Sequence, residues 1–289
     1  MSSRTLRPKA LFLATLVGLL VGGLAFLAWQ HLYPVSAGDG WSYRVFHDDL
    51  RLVSALAKDA RGDLYVTQEM KSGNGLLFRL ASDGTRQEVV GKLSKPDGLV
   101  AWLNGIAISQ EEGEQPVLWL HDGHVETLFT GRSIEGLASD GQALYAIEDR
   151  PGDGRLLRYD ALSKQVTVLR TGLREGEGVA LCPNGELYYA EKGHRWIKRW
   201  RPQGDDQIVL GGLNAPGFIA CNEDGLWIAE DATHRARLLL LDKDGVLHTV
   251  LSHLRSAQTL LPLAPDRFLL AEQGRGRLLE ITRQAKAAR

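Results

Sequence analysis

The chain has 289 residues, a formal net charge of −1, 44% hydrophobic and 24% charged residues. About 250 residues follow an apolar N-terminal segment, enough for one large core or one closed repeat domain. The balanced charge supplies no global field toward nucleic acid or an anionic surface, so no nucleic-acid partner is expected.

Residues 1–9 contain Arg4, Arg7 and Lys9 and read as a basic, cytoplasmic N-terminus. Residues 10–29 carry no charge. About 20 apolar residues span a hydrocarbon core of about 30 Å, and the basic flank holds the N-terminus inside, so the remainder is expected to be exported to a periplasmic or extracellular location. A cleaved signal peptide is the rival reading, since Val35-Ser36-Ala37 suits a signal peptidase. The apolar run is longer than an ordinary signal core, and that tripeptide lies well past its end, which favours an uncleaved single-pass transmembrane signal-anchor. Residues 30–40 (QHLYPVSAGDG) read as a linker.

From residue 41 to 289 one short segment recurs six times: GDLYVTQ, GIAISQE, QALYAIE, GELYYAE, GLWIAE and DRFLLAE. Each is an apolar run closed by a polar residue: Gln68, Glu111, Glu148, Glu191, Glu230 and Glu272. The steps between these residues are 43, 37, 43, 39 and 42. A period near 40 with several short strand patterns per unit predicts an all-β, six-bladed β-propeller. The unit at 177–213 shows the scheme, with strands at GVALC, ELYYAE, RWIKRW and DQIVLGG separated by Pro, Asn and Gly turns. The last unit ends after RLLEITR without a fourth strand, and WSYRVFHD (41–48) has no unit of its own. Adding that strand to the last blade closes the ring and removes an open edge.

Cys182 and Cys221 occupy the same place in consecutive units. Export permits a disulfide. Neighbouring innermost strands stand far enough apart to favour the plainer expectation of two small buried apolar residues.

The turns Glu191-Lys-Gly-His194-Arg195 and Glu230-Asp-Ala-Thr-His234-Arg235, with the LYVT, LYYA and LWIA runs, resemble the six-bladed superfamily that includes NHL-repeat, SMP-30/gluconolactonase-like and strictosidine-synthase-like proteins and paraoxonases. The resemblance spans about residues 41–285. It implies functions ranging from calcium-dependent lactone and ester hydrolysis to propellers without chemistry.

In a propeller the first strand of each blade lines the channel, and its starting residue faces one mouth. Counting back from the closing residues places Ser54, Asp97, Glu135, Glu177, Pro216 and Gln258 at these starts. Asp97, Glu135 and Glu177 therefore converge, with no basic residue at the other starts to neutralise them. Converging carboxylates call for protons or a cation, and hard oxygen ligands suit Ca²⁺. The resemblance implies a divalent ion here, held by a Glu in the first blade and by Asn or Asp in later ones. This chain has Ser54, Glu177 and Pro216 at three such places, so the expected metal site is a rearranged one built from Asp97, Glu135 and Glu177.

The acids closing the second strands recur in nearly every unit, which marks them as structural acceptors for backbone N–H or Arg donors. His194 and His234 share one position in adjacent blades and are the candidates for a general base beside a metal-bound water. No GxSxG, HExxH, P-loop or dinucleotide fingerprint occurs. Two functions follow. One is a divalent-metal-dependent hydrolase of a lactone or small ester, held at the membrane by the N-terminal helix. The other is a non-catalytic propeller that grips a protein or glycan partner. A quinone-dependent sugar dehydrogenase has no matching cofactor cluster.

Overall fold

The computed structural model describes residues 8–284, with the side chains of residues 30 and 31 left aside. Arg4 and Arg7, on which the basic N-terminus rests, and the tail 285–289 lie outside the described residues. The chain divides into two compact units, one ending at Val35 and the other starting at Ser36.

The first unit is a helix, Pro8–Leu32. Pro8 sits in the opening turn, where a missing N–H costs nothing. Pro8–Trp29 is long and apolar enough to cross a membrane. Its Leu, Val and Phe side chains are exposed along the whole length, so no protein core explains their apolar character.

The second unit is a six-bladed β-propeller. Blade one shows the pattern, an antiparallel meander of Val53–Lys58, Leu64–Gln68, Gly75–Leu80 and Arg86–Leu93. The first strands of the other blades are Leu99–Trp102, Ile134–Ser139, Gly176–Leu181, Pro216–Asn222 and Ala257–Ala264. These six strands neighbour one another around the axis. The apolar cores lie between adjacent blades. Leu56 and Val66 of blade one meet Leu269 and Leu278 of blade six, and Leu77 and Leu93 meet Ile106 and Ile108 of blade two. Trp227, Phe268 and Trp41 fill the seam between blades five and six.

Ring closure follows the sequence expectation. Trp41–His47 pairs with Arg277–Arg283 as the outer strand of blade six, with Ser42 opposite Thr282. The linker reading needs amendment: Ser36–Ala37 is a short fifth strand on the rim of blade five, opposite Ser252 and Leu251, and the Gly38 N–H donates to the Val250 carbonyl at 2.9 Å. Unpaired backbone groups on that outer edge take up the passing chain.

The cysteine expectation is overturned. Cys182 and Cys221 form a disulfide between blades four and five, with their Cα atoms 4.9 Å apart. The reason lies in how closely the first strands pack at the axis. A Cβ on Gly178 of blade four would lie 2.6 Å from the carbonyl oxygen of Gly217 in blade five. Strands that approach this closely bring equivalent residues within disulfide reach.

Candidate functional site at the acidic mouth

Each blade repeats one local arrangement at the end of its second strand. The residue just past that strand donates its N–H to a carbonyl immediately before or near the start of the first strand: Glu69 to Leu52, Glu111 to Lys95, Asp149 to Ser133, Lys192 to Glu175, Asp231 to Ala215 and Gln273 to Ser256. All six carbonyl residues have left-handed φ, between 45° and 55°, although none is glycine. A strained conformation that recurs in every blade belongs to the fold rather than to one active residue.

In blades two to six the residue before the donor is the structural acceptor. Glu148 takes the Arg132 N–H at 2.7 Å and ion-pairs with Arg150 and Arg155. Glu191 takes the Arg174 N–H at 2.9 Å and the Trp196 indole N–H at 2.7 Å. Glu230 takes the Asn214 N–H at 2.8 Å and the Arg237 guanidinium at 2.6 and 2.8 Å. Glu272 takes the Arg255 N–H at 3.0 Å and pairs with Arg275 and Arg277. In blade two this role falls to Gln110, which accepts the Ser94 N–H at 2.8 Å and donates to the Pro116 carbonyl at 2.9 Å. Glu111 was grouped with the structural acids by sequence, and that assignment is corrected here. The blade-two segment is offset by one residue, and Glu111 is turned toward the channel.

One position further along the strand end, the side chains of five blades meet in a cavity of about 360 Å³. Glu69, Glu111, Lys192, Asp231 and Gln273 form its upper ring, and Asp97, Glu177 and Gln258 contribute from the first-strand starts. Asp97, Glu135 and Glu177 come to this one end of the channel, close enough for their charges to act on one another. Asp97 accepts from the Ser54 hydroxyl at 2.5 Å and shares a hydrogen bond with Glu135, which is buried behind it. Carboxylate oxygens of Glu69, Asp97 and Glu111 all lie within 4.8 Å of one another. Asp97 thus has two sets of acidic neighbours, and Glu69 and Glu111 are the members that sequence reasoning missed. The usable signal was the residue after each repeated acceptor, not the acceptor itself.

No basic residue stands at the other strand starts, yet two lysines from outside those positions neutralise part of the acid charge. Lys95, two residues before Asp97, pairs with Glu69 at 3.2 Å and with Glu111. Lys192 bridges Glu177 at 3.1 Å and Asp231 at 2.8 Å, and Gln258 donates to Asp231 at 2.9 Å.

Even so, the acids outnumber the cations. Burial is the largest influence on Glu69, Asp97, Glu135 and Glu177 and raises the pKa of each. Glu69 is pushed up to about 8 by burial and by the Asp97 charge, against the pull of Lys95. Glu177 rises to about 7, through burial and the Asp231 charge against the pull of Lys192. Asp97 is raised by burial, and Glu135 is raised well above the carboxylate range by burial and the Glu177 and Asp97 charges. Burial opposes the charge on Lys95 and Lys192, but the surrounding carboxylates outweigh it and raise both. Near neutral pH the mouth therefore retains protons that a cation can displace.

Neither candidate histidine lines this cavity. His194 stacks on Trp196 with ring centroids 4.3 Å apart, and its Nδ1 lies 3.2 Å from Glu191. The Nδ1 of His234 is buried without a hydrogen-bond partner, beside Thr233, which does reach the cavity.

No family model matches the chain. Among characterised relatives, the adipocyte plasma membrane-associated protein of Salmo salar is 27% identical over 233 residues, covering 74% of this chain and 54% of that protein. Its counterpart in Danio rerio is 30% identical over 143 residues, covering 45% of this chain and 34% of that protein. The chain thus spans about a third to about half of these relatives. Among solved structures, a Xanthomonas campestris gluconolactonase superposes with a TM-score of 0.70 at 15% identity, covering 85% of this chain and 91% of its own. A luciferin-regenerating enzyme gives 0.69 at 13% identity, covering 84% and 95%. The calcium-binding protein regucalcin of Agrobacterium tumefaciens gives 0.64 at 14% identity, covering 85% and 96%. In fold, the chain is a six-bladed β-propeller like these gluconolactonase-like structures.

Proposed function

We propose that the protein is a membrane-anchored, exported propeller that hydrolyses a lactone or small ester at its acidic mouth, with a divalent cation, Ca²⁺, held there. The observation that carries this reading is the grouping of Glu69, Asp97 and Glu111 around a common point in a cavity that also receives Glu177. The donor set fits the ion: all are hard carboxylate oxygens, and the raised pKa values of Glu69 and Asp97 mark a site short of positive charge. Glu69, Asp97 and Glu111 would hold it, with Glu135 supporting Asp97 from behind. A divalent cation in such a place supplies Lewis-acid polarisation of a carbonyl.

The rest of the chemistry belongs to the chain. Glu177, with a pKa of about 7, can take and return a proton near neutral pH, as a general base requires. Lys192 and Gln258 fix Asp231, which in turn orients the wall facing Glu177. Thr233 and Ser256 present polar groups to a bound substrate. Being called gluconolactonase or luciferin-regenerating enzyme belongs to the neighbours, and their fold supports this reading without deciding it.

A specific observation favours a second reading. Lys95 and Lys192 already pair with four of the acids, as expected of a non-catalytic propeller whose face grips a protein or glycan. Metal analysis of the purified full-length protein, followed by a lactone and ester panel with and without chelator, separates the two. Bound calcium and chelator-sensitive hydrolysis support the hydrolase. A metal-free protein with no turnover on the panel leaves the binding propeller.

A further inference from the structure

The channel has a second end. Past the acidic mouth the first strands continue into a separate cavity of about 310 Å³, and the two cavities share no lining residue. The boundary falls between sequence neighbours, since Asp97 faces the mouth while Gly98 faces the lower cavity. There the strands close on the axis. A Cβ on Gly98 would lie 2.5 Å from the Glu135 carbonyl oxygen, and one on Gly136 would lie 2.9 Å from that of Glu177.

All six first strands wall the lower cavity, and the wall is apolar, with Leu56, Val100, Leu137, Phe218 and Leu261 among its residues. The one formally charged lining residue is Lys58, the last residue of its strand. Among the described residues Lys58 makes no side-chain hydrogen bond or ion pair, and it is partly exposed. Its neighbour Asp59 does not neutralise it, because that carboxylate is taken by the Arg61 guanidinium at 3.1 Å and by the N–H groups of Arg61 and Asp63. The Cys182–Cys221 disulfide ties blades four and five at the rim, where Cys221 itself lines the wall. A preformed cavity at the small end of the ligand-site range, with apolar walls and a single charged group, has the form of a small-molecule site.

We propose that this lower cavity binds a single-chain carboxylate amphiphile, its chain along the propeller axis and its carboxylate on Lys58. The lone ammonium selects an anionic head, since a cationic head would meet like charge. The volume admits one short chain and excludes a two-chain lipid. This site is independent of the hydrolase reading, because it shares no residue with the acidic mouth.

The test uses the full-length protein in lipid nanodiscs, titrated with decanoate by calorimetry, with protein-free nanodiscs subtracted. Saturable binding of one decanoate per chain is expected, with decanol and decyltrimethylammonium each at least tenfold weaker. Lys58→Glu should weaken decanoate tenfold or more while leaving decanol unchanged. Ala101→Trp, at an exposed lining position that tolerates a larger side chain, should abolish binding of both. Glu111→Gln, at the other end, should leave decanoate binding unchanged. No saturable uptake above protein-free nanodiscs overturns the site. Binding indifferent to Lys58→Glu, or equal for the cationic probe, overturns the carboxylate assignment, and binding that survives Ala101→Trp places the ligand elsewhere.

Discussion

Glu230 and Asp231 are neighbours in sequence and carry the same charge, yet they do opposite work. Glu230 is fully buried and saturated by the Asn214 N–H and the Arg237 guanidinium. Asp231 stands in the cavity, where a single lysine serves it and Glu177 together. The same division recurs in other blades, with Glu272 against Gln273 and Gln110 against Glu111. Successive residues at a strand end point to opposite sides. One side faces the seam between blades and is matched donor for acceptor. The other faces the channel and is left short of cations.

The sharpest test of this contrast is Glu272→Ala. It removes the carboxylate that Arg275 and Arg277 share in a largely buried setting, at a cost of about 3–5 kcal/mol. At about 2–4 °C per kcal/mol for a domain of this size, the melting temperature should fall by roughly 10 °C. A fall under about 2 °C, read by calorimetry, would show that these acids do not hold the blades together. The opposite end of the channel supplies the next comparison. The disulfide closes a loop with a sequence separation of 39, and a Cys182→Ser, Cys221→Ser double variant should lose about 2–4 kcal/mol without changing any response at the acidic mouth.

The adjacent pair in blade two separates structure from site directly. Gln110→Ala should cost about 1–3 kcal/mol, because the Ser94 N–H loses a partly buried acceptor. It should keep its calcium response. Glu111→Gln should change stability little and abolish the calcium-dependent rise in melting temperature that the proposed site predicts, a stabilisation of about 2.7 kcal/mol at 100 times the dissociation constant. Equal calcium responses in the two variants would erase the distinction.

A pH dependence tests the same contrast without a substitution. Glu69 and Glu177 have folded pKa values of about 8 and about 7, above their unfolded values near 4.5. The folded state therefore binds more protons than the unfolded state across this window. The contribution is fully present below about pH 4.5 and is lost as pH rises through 7 to 8. In chelator the melting temperature should drift down from pH 5 to pH 8.5. Calcium should offset the drift most at the alkaline end, where fewer protons must be displaced. Glu177→Gln should flatten part of the slope, and a melting temperature that rises over this range contradicts the site electrostatics.

Much of the fold was legible because it is periodic. The repeats fixed the blade count, and the missing fourth strand of the last unit, together with WSYRVFH, disclosed the closure. The site was less legible because its residues break the repeat. Asp97, Glu135 and Glu177 could be placed by counting along blades. Glu111 could not, because the blade-two segment is offset by one residue and a glutamine took the structural role. Lys95 and Lys192 were hidden for a different reason: they lie in loops, where no alternation says which way a side chain turns. The disulfide was misjudged from blade spacing, since glycine at Gly178 lets the first strands approach more closely than strands with side chains would.

Ring closure also sets an order of events. Ser42 pairs with Thr282, so the outer strand of blade six joins residues from the two ends of the domain. On the ribosome the first of these emerges early and its partner last, while the blades between them can form from local hairpins. The seam is the most non-local contact in the molecule and the slowest kind to form. Until the inner strands of blade six have been made, Trp41–His47 has no blade to join, and that edge strand needs protection from other chains.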